Sequence, residues 1–231
     1  MKCVCCKKLS ENADGADILC AECRRSLIEE ATRACGKCGN PPVSCRCAKV
    51  RIIANLDQII FPYFYSGDKI RQAVYAVKRA NLYYINEFFA KGMYNSLKLS
   101  DKIDNINKID FITGAPRKKD SARLYGYNQT EEIAKIISGY SGIAYIPVIK
   151  ASKSHDTEQK TLSRYERAEN VKNKFVPAGN ITKTKDLIQG KNILIIDDVV
   201  TTGSTLAECA RVIRELGAKS IKALCAASVR P

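Results

Sequence analysis

Ile193-Leu194-Ile195-Ile196-Asp197-Asp198-Val199-Val200-Thr201-Thr202-Gly203-Ser204-Thr205 is the stretch on which the reading of this chain turns. Four aliphatic residues in a row mark a strand buried on both faces of a parallel sheet. They run into two adjacent carboxylates. A Thr/Gly/Ser turn then opens a helix over residues 204–216, which Gly217 stops. The turn offers backbone N–H groups, hydroxyl donors and a helix N-terminus, the components of a phosphate cradle. Gly203 lets the backbone come close to the anion. Carboxylates beside such a cradle suit a ligand that also carries sugar hydroxyls, which donate hydrogen bonds. In open α/β sheets sites of this kind lie at the carboxyl ends of strands. A receiver-type acidic pocket also ends a strand in paired acids, but early in its domain. Here only one helix and one strand, 221–227, follow.

Upstream, strands and helices alternate. Asp110 to Thr113 reads as a strand entering the turn Gly114-Ala115-Pro116. Thr130 to Ser138 places Ile133, Ala134 and Ile137 on one helical face, with Gly139 as its stop. Residues 143–149 are a further apolar run, and 152–170 are a long polar loop of the length that is usually functional or disordered. Before these, Phe61 to Gly67 reads as a strand and turn. Lys69 to about Lys91 reads as a helix with Ile70, Val74 and Val77 at i, i+4, i+7, and 101–109 as a linker or helix end. The alternation predicts an α/β fold with a parallel sheet.

The first 50 residues differ in kind. They carry nine of the 11 cysteines and few large apolar residues, too few for a core of their own. Pro41-Pro42 and the cysteines behind them read as turns. Cys3-x2-Cys6, Cys20-x2-Cys23 and Cys35-x2-Cys38 are CxxC pairs, and Cys45-x-Cys47 is a tighter fourth. Each turn points two thiolates at one ion, and two turns complete a four-thiolate zinc site. Eight ligands suffice for two structural zincs, which would provide the folding energy the segment lacks. Sequential pairing joins Cys3, Cys6, Cys20 and Cys23, then Cys35, Cys38, Cys45 and Cys47. An interleaved pairing fits the spacing too, and Cys5 can stand in for Cys3 or Cys6. The boundary falls after residue 50, giving a zinc module at 1–50 and a catalytic-type domain at 51–231.

Composition narrows the function classes. The 231 residues are 45% hydrophobic and 27% charged, which excludes wholesale disorder. No apolar run reaches the ~18 residues of a membrane span. The N-terminal stretch lacks the apolar core of a signal peptide, so the expectation is a cytoplasmic protein without membrane insertion. A net charge of +14 calls for an anionic partner, either nucleic acid or a phosphorylated small molecule. Each four-thiolate zinc centre is itself about two charges negative, so the basic surface lies mainly after residue 50. Tyr63, Tyr65, Tyr75, Tyr83 and Tyr84 interleave with Lys69, Arg71, Lys78 and Arg79, a composition that suits single-stranded nucleic acid where the rings are not buried. His155 is the only histidine, which excludes a metal site of several histidines, and its place in a polar loop reads as incidental. Cys209 and Cys225 fall on apolar faces and read as core.

The segment 193–205 resembles the 5-phosphoribosyl-1-pyrophosphate (PRPP) loop of type I phosphoribosyltransferases. Three further segments are similar to the ComF (competence protein F) family. They are Pro116-Arg117-x5-Arg123-x2-Gly126-Tyr127-Asn128-Gln129, then Gln159-x2-Leu162-Ser163-x2-Glu166-Arg167-x2-Asn170-x4-Phe175, and Tyr65-x-Gly67-x3-Arg71 followed by Lys78. The cysteine-rich front end fits as well. Cys45-x-Cys47 departs from the usual CxxC, and Lys153 stands where the family often has arginine.

The resemblance implies a parallel-sheet type I phosphoribosyltransferase fold behind a small zinc module. It implies that PRPP is bound by Asp197, Asp198, Val199, Val200, Thr201, Thr202, Gly203, Ser204 and Thr205. The acids would meet the ribose 2- and 3-hydroxyls, and Thr201 to Thr205 the 5-phosphate. Gly114, Ala115, Pro116, Arg117 and Lys118 would form the pyrophosphate loop, with Gln159, Arg164 and Arg167 closing the site. Magnesium would be held by the pyrophosphate and ribose oxygens of PRPP. The family further implies a role in natural transformation on incoming single-stranded DNA, with competence proteins such as a ComFA-type helicase as partners. Two readings follow: a transferase with an unidentified acceptor, or an inactive DNA-handling module that binds PRPP as a regulatory ligand.

Overall fold

The expected parallel sheet is present in a computed structural model, which describes residues 2–9, 19–45, 47, 53–65, 67–79, 83–104, 108–117, 127–152 and 174–229. In chain order its elements are α1 (Ala21–Thr32), β1 (Gln58–Ile60), β2 (Tyr63–Phe64), α2 (Asp68–Arg79), α3 (Tyr83–Asp104) and β3 (Phe111–Gly114). There follow α4 (Gln129–Ser141), β4 (Ile149–Ala151), β5 (Phe175–Pro177), α5 (Ile181–Ile188), β6 (Asn192–Val200), α6 (Ser204–Glu215) and β7 (Ser220–Ser228). Across the sheet the order is β1–β7–β6–β3, with β2 also on β7 and every pairing parallel. β4 and β5 form a separate antiparallel pair.

The run Ile193–Ile196 lies in β6, between β7 and β3, and the period-2 alternation of a strand divides its side chains between two cores. Leu194 and Ile196 join Ile112 and Leu224 against Ile70 of α2, Phe89 of α3 and Ile133 of α4. Ile193 and Ile195 join Phe111, Ile221 and Cys225 against Leu206, Cys209 and Ile213 of α6. A one-residue slip would exchange the two sets, so register needs pinning. Two carboxylates pin it. Asp110 Oδ2 accepts from the amide and the side-chain nitrogen of Asn192 (2.8 and 3.2 Å), and Asp57 Oδ2 accepts from the Ile221 amide (2.7 Å).

Three local expectations are corrected, and one helix is added to them. β6 does not end at the acids: Asp197 pairs with Cys225, Val199 with Ala227 and Val200 with Ser228, so ladder pairing carries the strand past them. The helix expected from Lys69 to about Lys91 is two helices, α2 and α3. Gly139 lies inside α4, and the stop is Gly142, whose φ of 70° is the left-handed conformation that ends helices. α5 went unread. Its start is an Asn180 cap that accepts from the amides of Thr182 and Lys183 (3.0 and 3.3 Å).

The cysteine-rich segment packs against the sheet's flanking layers. Cys3, Cys23 and Leu27 share the core of the α2–α3 side, while Cys35 and Cys45 share that of the α6 side. α1 comes so close to the turn before α2 that a Cβ on Gly67 would lie 2.7 Å from Glu30 Oε1. No described helix is long and apolar enough to cross a membrane.

Candidate functional site

At the carboxyl end of β6, Asp197, Asp198 and Val199 are half-buried and Val200 is buried. The Asp198 amide donates to Asp197 Oδ1 (2.9 Å) and the Val199 amide to Asp198 Oδ1 (2.5 Å), which fixes both carboxylates against their own backbone. Thr201 and Thr202 are exposed, Gly203 is buried, Ser204 is half-buried and Thr205 exposed. Gly203 is the N-cap of α6 with φ 77°, and the Ser204 amide makes a long bond to Thr202 Oγ1 (3.4 Å). First-turn amides of a helix have no intrahelical acceptor, so this end presents donors and a partial positive charge. Thr202 Oγ1 lies 3.0 Å from Ser204 Oγ, so the two hydroxyls sit together beside those amides.

The neighbouring strand brings the second expected loop to the same edge. Gly114 is in register with Ile196, and the Ala115 amide donates to the Ile196 carbonyl (2.8 Å). Ala115 is buried, and Pro116 and Arg117 are half-buried. Thr130 of α4 anchors the loop, with its hydroxyl 2.9 Å from the Ala115 carbonyl and 2.7 Å from Asn128 Oδ1. Sequence analysis missed Thr130, although it directly follows the Tyr127-Asn128-Gln129 motif. Burial raises the Tyr127 hydroxyl pKa while the nearby Arg117 cation opposes that rise, which puts guanidinium and phenol close together. Gln129 is 3% exposed, and its Oε1 has no hydrogen-bond partner among the described residues, an orphaned polar atom at the start of α4. The expected site residues Lys118, Gln159, Arg164 and Arg167 lie outside the described residues, as do Arg123, Lys153 and His155.

The cysteines form two groups: Cys3, Cys6, Cys20 and Cys23, and Cys35, Cys38, Cys45 and Cys47. Within each group the sulfurs all lie within 4.8 Å of one another. Four sulfurs about 2.3 Å from one tetrahedral zinc would be about 3.8 Å apart. Cys6 and Cys20 are 3.7 Å apart and Cys38 and Cys45 are 3.8 Å apart, so both groups fit that ion. The pairing is the sequential one. The tight Cys45-x-Cys47 turn closes its group despite its departure from CxxC. Cys5 is not one of the four: its thiol contacts the Lys69 carbonyl (3.3 Å) and Gln72 Oε1 (3.5 Å) on α2 while still adjoining Cys23. The Lys37 amide, donating to Cys35 Sγ at 3.5 Å, is the main reason that thiol is held down at about 7, toward the thiolate a metal needs.

The remaining candidates divide. Tyr63 is 4% exposed, stacks on Phe88 and has its hydroxyl pushed up to about 12 by burial, so it serves the core. Tyr75, Tyr83 and Tyr84 are exposed on α2 and α3, and Arg71 is exposed on α2. Cys209 and Cys225 are fully buried, and that burial raises both thiols well above their ordinary value, with the Asp197 charge adding to it. Both are core residues, as expected.

Comparison with known proteins places these features. Residues 130–230 match the family model described as "Phosphoribosyl transferase domain". The chain is 24% identical to Competence protein F of Haemophilus influenzae over 209 residues, 88% of this chain and 87% of that protein. It is 30% identical to the DNA utilization protein YhgH of Escherichia coli K12 over 100 residues, 43% of this chain and 41% of that protein. Among solved structures, the glutamine PRPP amidotransferase of B. subtilis is 17% identical with a TM-score of 0.38, over 60% of this chain and 25% of that one.

Proposed function

We propose that this chain acts as a ComF-like protein of the phosphoribosyltransferase type, binding PRPP with magnesium at the carboxyl ends of β3 and β6. In the same reading it transfers the 5-phosphoribosyl group to an acceptor while handling single-stranded DNA during uptake. One observation carries the ligand reading. The bond from Ala115 to Ile196 sets the Gly114–Arg117 loop directly beside Asp197, so a cation-bearing loop and an acid-plus-hydroxyl turn share one sheet edge. A ligand with two anionic ends joined by a ribose matches that order.

In this reading Asp197 and Asp198 accept from the ribose 2- and 3-hydroxyls. Thr201, Thr202, Ser204, Thr205 and the first amides of α6 hold the 5-phosphate. Arg117 and Lys118 face the pyrophosphate, and Gln159, Arg164 and Arg167 close over it. The acceptor's lone pair forms a bond to the anomeric carbon as the carbon–oxygen bond to pyrophosphate breaks. Pyrophosphate leaves with its magnesium, and the acceptor's proton passes to solvent. Such catalysis rests on positioning and charge stabilisation, so it needs no histidine. The +14 charge and the exposure of Arg71, Tyr75, Tyr83 and Tyr84 support single-stranded DNA as the polymer bound. The work would be done in the cytoplasm, with a helicase-type competence protein as partner.

Calorimetry with magnesium and PRPP tests the ligand. The double substitution Asp197→Ala, Asp198→Ala should abolish binding while thermal unfolding stays cooperative, and an unchanged affinity overturns the assignment. A screen of bases, nucleotides and DNA for pyrophosphate release tests the chemistry. PRPP binding without any acceptor-dependent release replaces transfer by the regulatory-ligand reading.

A further inference from the structure

The side of Gly203 that a Cβ would occupy is filled. A Cβ there would meet Ile53 Cδ1 at 2.5 Å and Ile53 Cγ1 at 2.8 Å. Ile53 is 8% exposed and belongs to the core that holds Val200, Leu206, Phe61 and Phe64. It therefore supports the turn from the protein interior, while Thr201 and Thr202 face solvent. The residues after Ile53 are tied to the other end of α6. Arg214, in its last turn, donates to the Asn55 carbonyl (3.2 Å) and pairs with Asp57 (3.0 Å), and Asp57 also takes the Ile221 amide. Residues 53–57 thus form a short turn-shaped strap beside α6, closed by the Leu56 amide donating to the Ile53 carbonyl (3.1 Å), with Ile53 packed against Gly203 and Asp57 paired with Arg214.

The strap follows the second cysteine group in the chain. Cys47 precedes Ile53 by six positions, and Cys35 and Cys45 lie in the same core as Ile53. A cysteine-rich segment of this kind takes its order from the metal it binds. We infer that Ile53 is a positioning residue for the phosphate-binding turn, and that metal in the Cys35, Cys38, Cys45 and Cys47 group holds Ile53 in place. Loss of that metal then weakens PRPP binding although no zinc touches the ligand. The ligand half of this inference rests on the PRPP reading above; the packing half does not. The physical link is entropic. A turn built on a left-handed glycine has many alternative conformations, and the Ile53 side chain removes them before an anion arrives.

The test uses the full-length, zinc-loaded chain and three measurements: zinc content, hydrogen exchange without ligand, and PRPP affinity with magnesium. Ile53→Ala should keep both zincs, speed exchange of the 201–206 amides at least tenfold and weaken PRPP about five- to twentyfold. Ile53→Val, which deletes only the Cδ1 methyl, should do the same to a smaller degree and covers the case in which the alanine variant does not fold. Cys38→Ser with Cys47→Ser should lose one zinc and reproduce the exchange change. Cys6→Ser with Cys20→Ser should lose the other zinc and leave 201–206 protected. Wild-type exchange in Ile53→Ala or Ile53→Val overturns the positioning role. Equal effects from the two cysteine pairs overturn the specific metal coupling. Absence of PRPP binding by the wild type overturns the ligand reading, and exchange alone then judges the strap.

Discussion

Gly203→Ala should destabilise the fold through two separable terms. The backbone at φ 77° is left-handed, which costs a residue with a Cβ about 1–2 kcal/mol. The new methyl would also stand 2.5 Å and 2.8 Å from two Ile53 carbons, an overpacking that costs about 1–3 kcal/mol. The sum, about 2–5 kcal/mol, is a large share of the roughly 5–15 kcal/mol by which a domain is stable. A double-mutant cycle in urea, on zinc-loaded protein, separates the terms. Ile53→Ala alone should cost about 2–4 kcal/mol for the lost burial and the cavity. In that background Gly203→Ala should cost only the dihedral part, because the methyl now has room. The coupling should therefore be about 1–3 kcal/mol in favour of the double variant. If Gly203→Ala costs the same with Ile53 and with alanine at 53, the two residues do not abut, and the strap argument fails with them.

Three further outcomes are expected. Elemental analysis of the reduced protein should find two zincs per chain, and Cys5→Ser should keep both, since Cys5 faces α2; one zinc in that variant refutes the assigned ligand sets. Asp57 should contribute a pH-dependent increment to stability. Burial raises its carboxyl pKa, but the Ile221 amide, Ser220 and Arg214 outweigh that and hold it below its ordinary value. The stability gap between wild type and Asp57→Asn should then be constant above the unfolded value of about 3.9 and shrink as pH falls further, and a gap that widens in acid contradicts the pairing. Single-stranded DNA should bind in fluorescence anisotropy with affinity falling steeply as salt rises, and Tyr83→Ala with Tyr84→Ala should weaken it about tenfold or more; a flat salt response counts against the basic surface.

Packing behind Gly203 governs how the proposed ligand turn is best tested in cells. A valine at Gly203 would drive into Ile53 rather than only crowd an anion, so loss of transformation in that variant would not isolate the pocket. The carboxylate pair is the cleaner target, because both acids are half-buried near the carboxyl end of β6 and their replacement by alanine adds no bulk.

What the sequence determined by itself was whatever rests on neighbours along the chain. The Ile193–Ile196 run, the acids after it and the Thr-rich turn lie in one continuous segment, and the backbone geometry of strand, turn and helix follows from such local order. The cysteine turns were legible for the same reason, since residues two or three apart can aim at one ion. Their partners were not legible. Sequential rather than interleaved grouping emerges only in the folded chain, where the sulfurs gather as two sets of four and Cys5 packs against Lys69 and Gln72 of α2. β6 outran its expected end because β7 continues the ladder beyond Asp197, a contact between strands that no pattern within β6 records. The strap is the extreme case. Asn55 and Arg214 are 159 positions apart, and nothing in the polarity or spacing of residues 53–57 marks them as packing against the distant turn at Gly203. Periodicity reports which face of an element is buried; which residue it is buried against is decided only when the chain closes on itself.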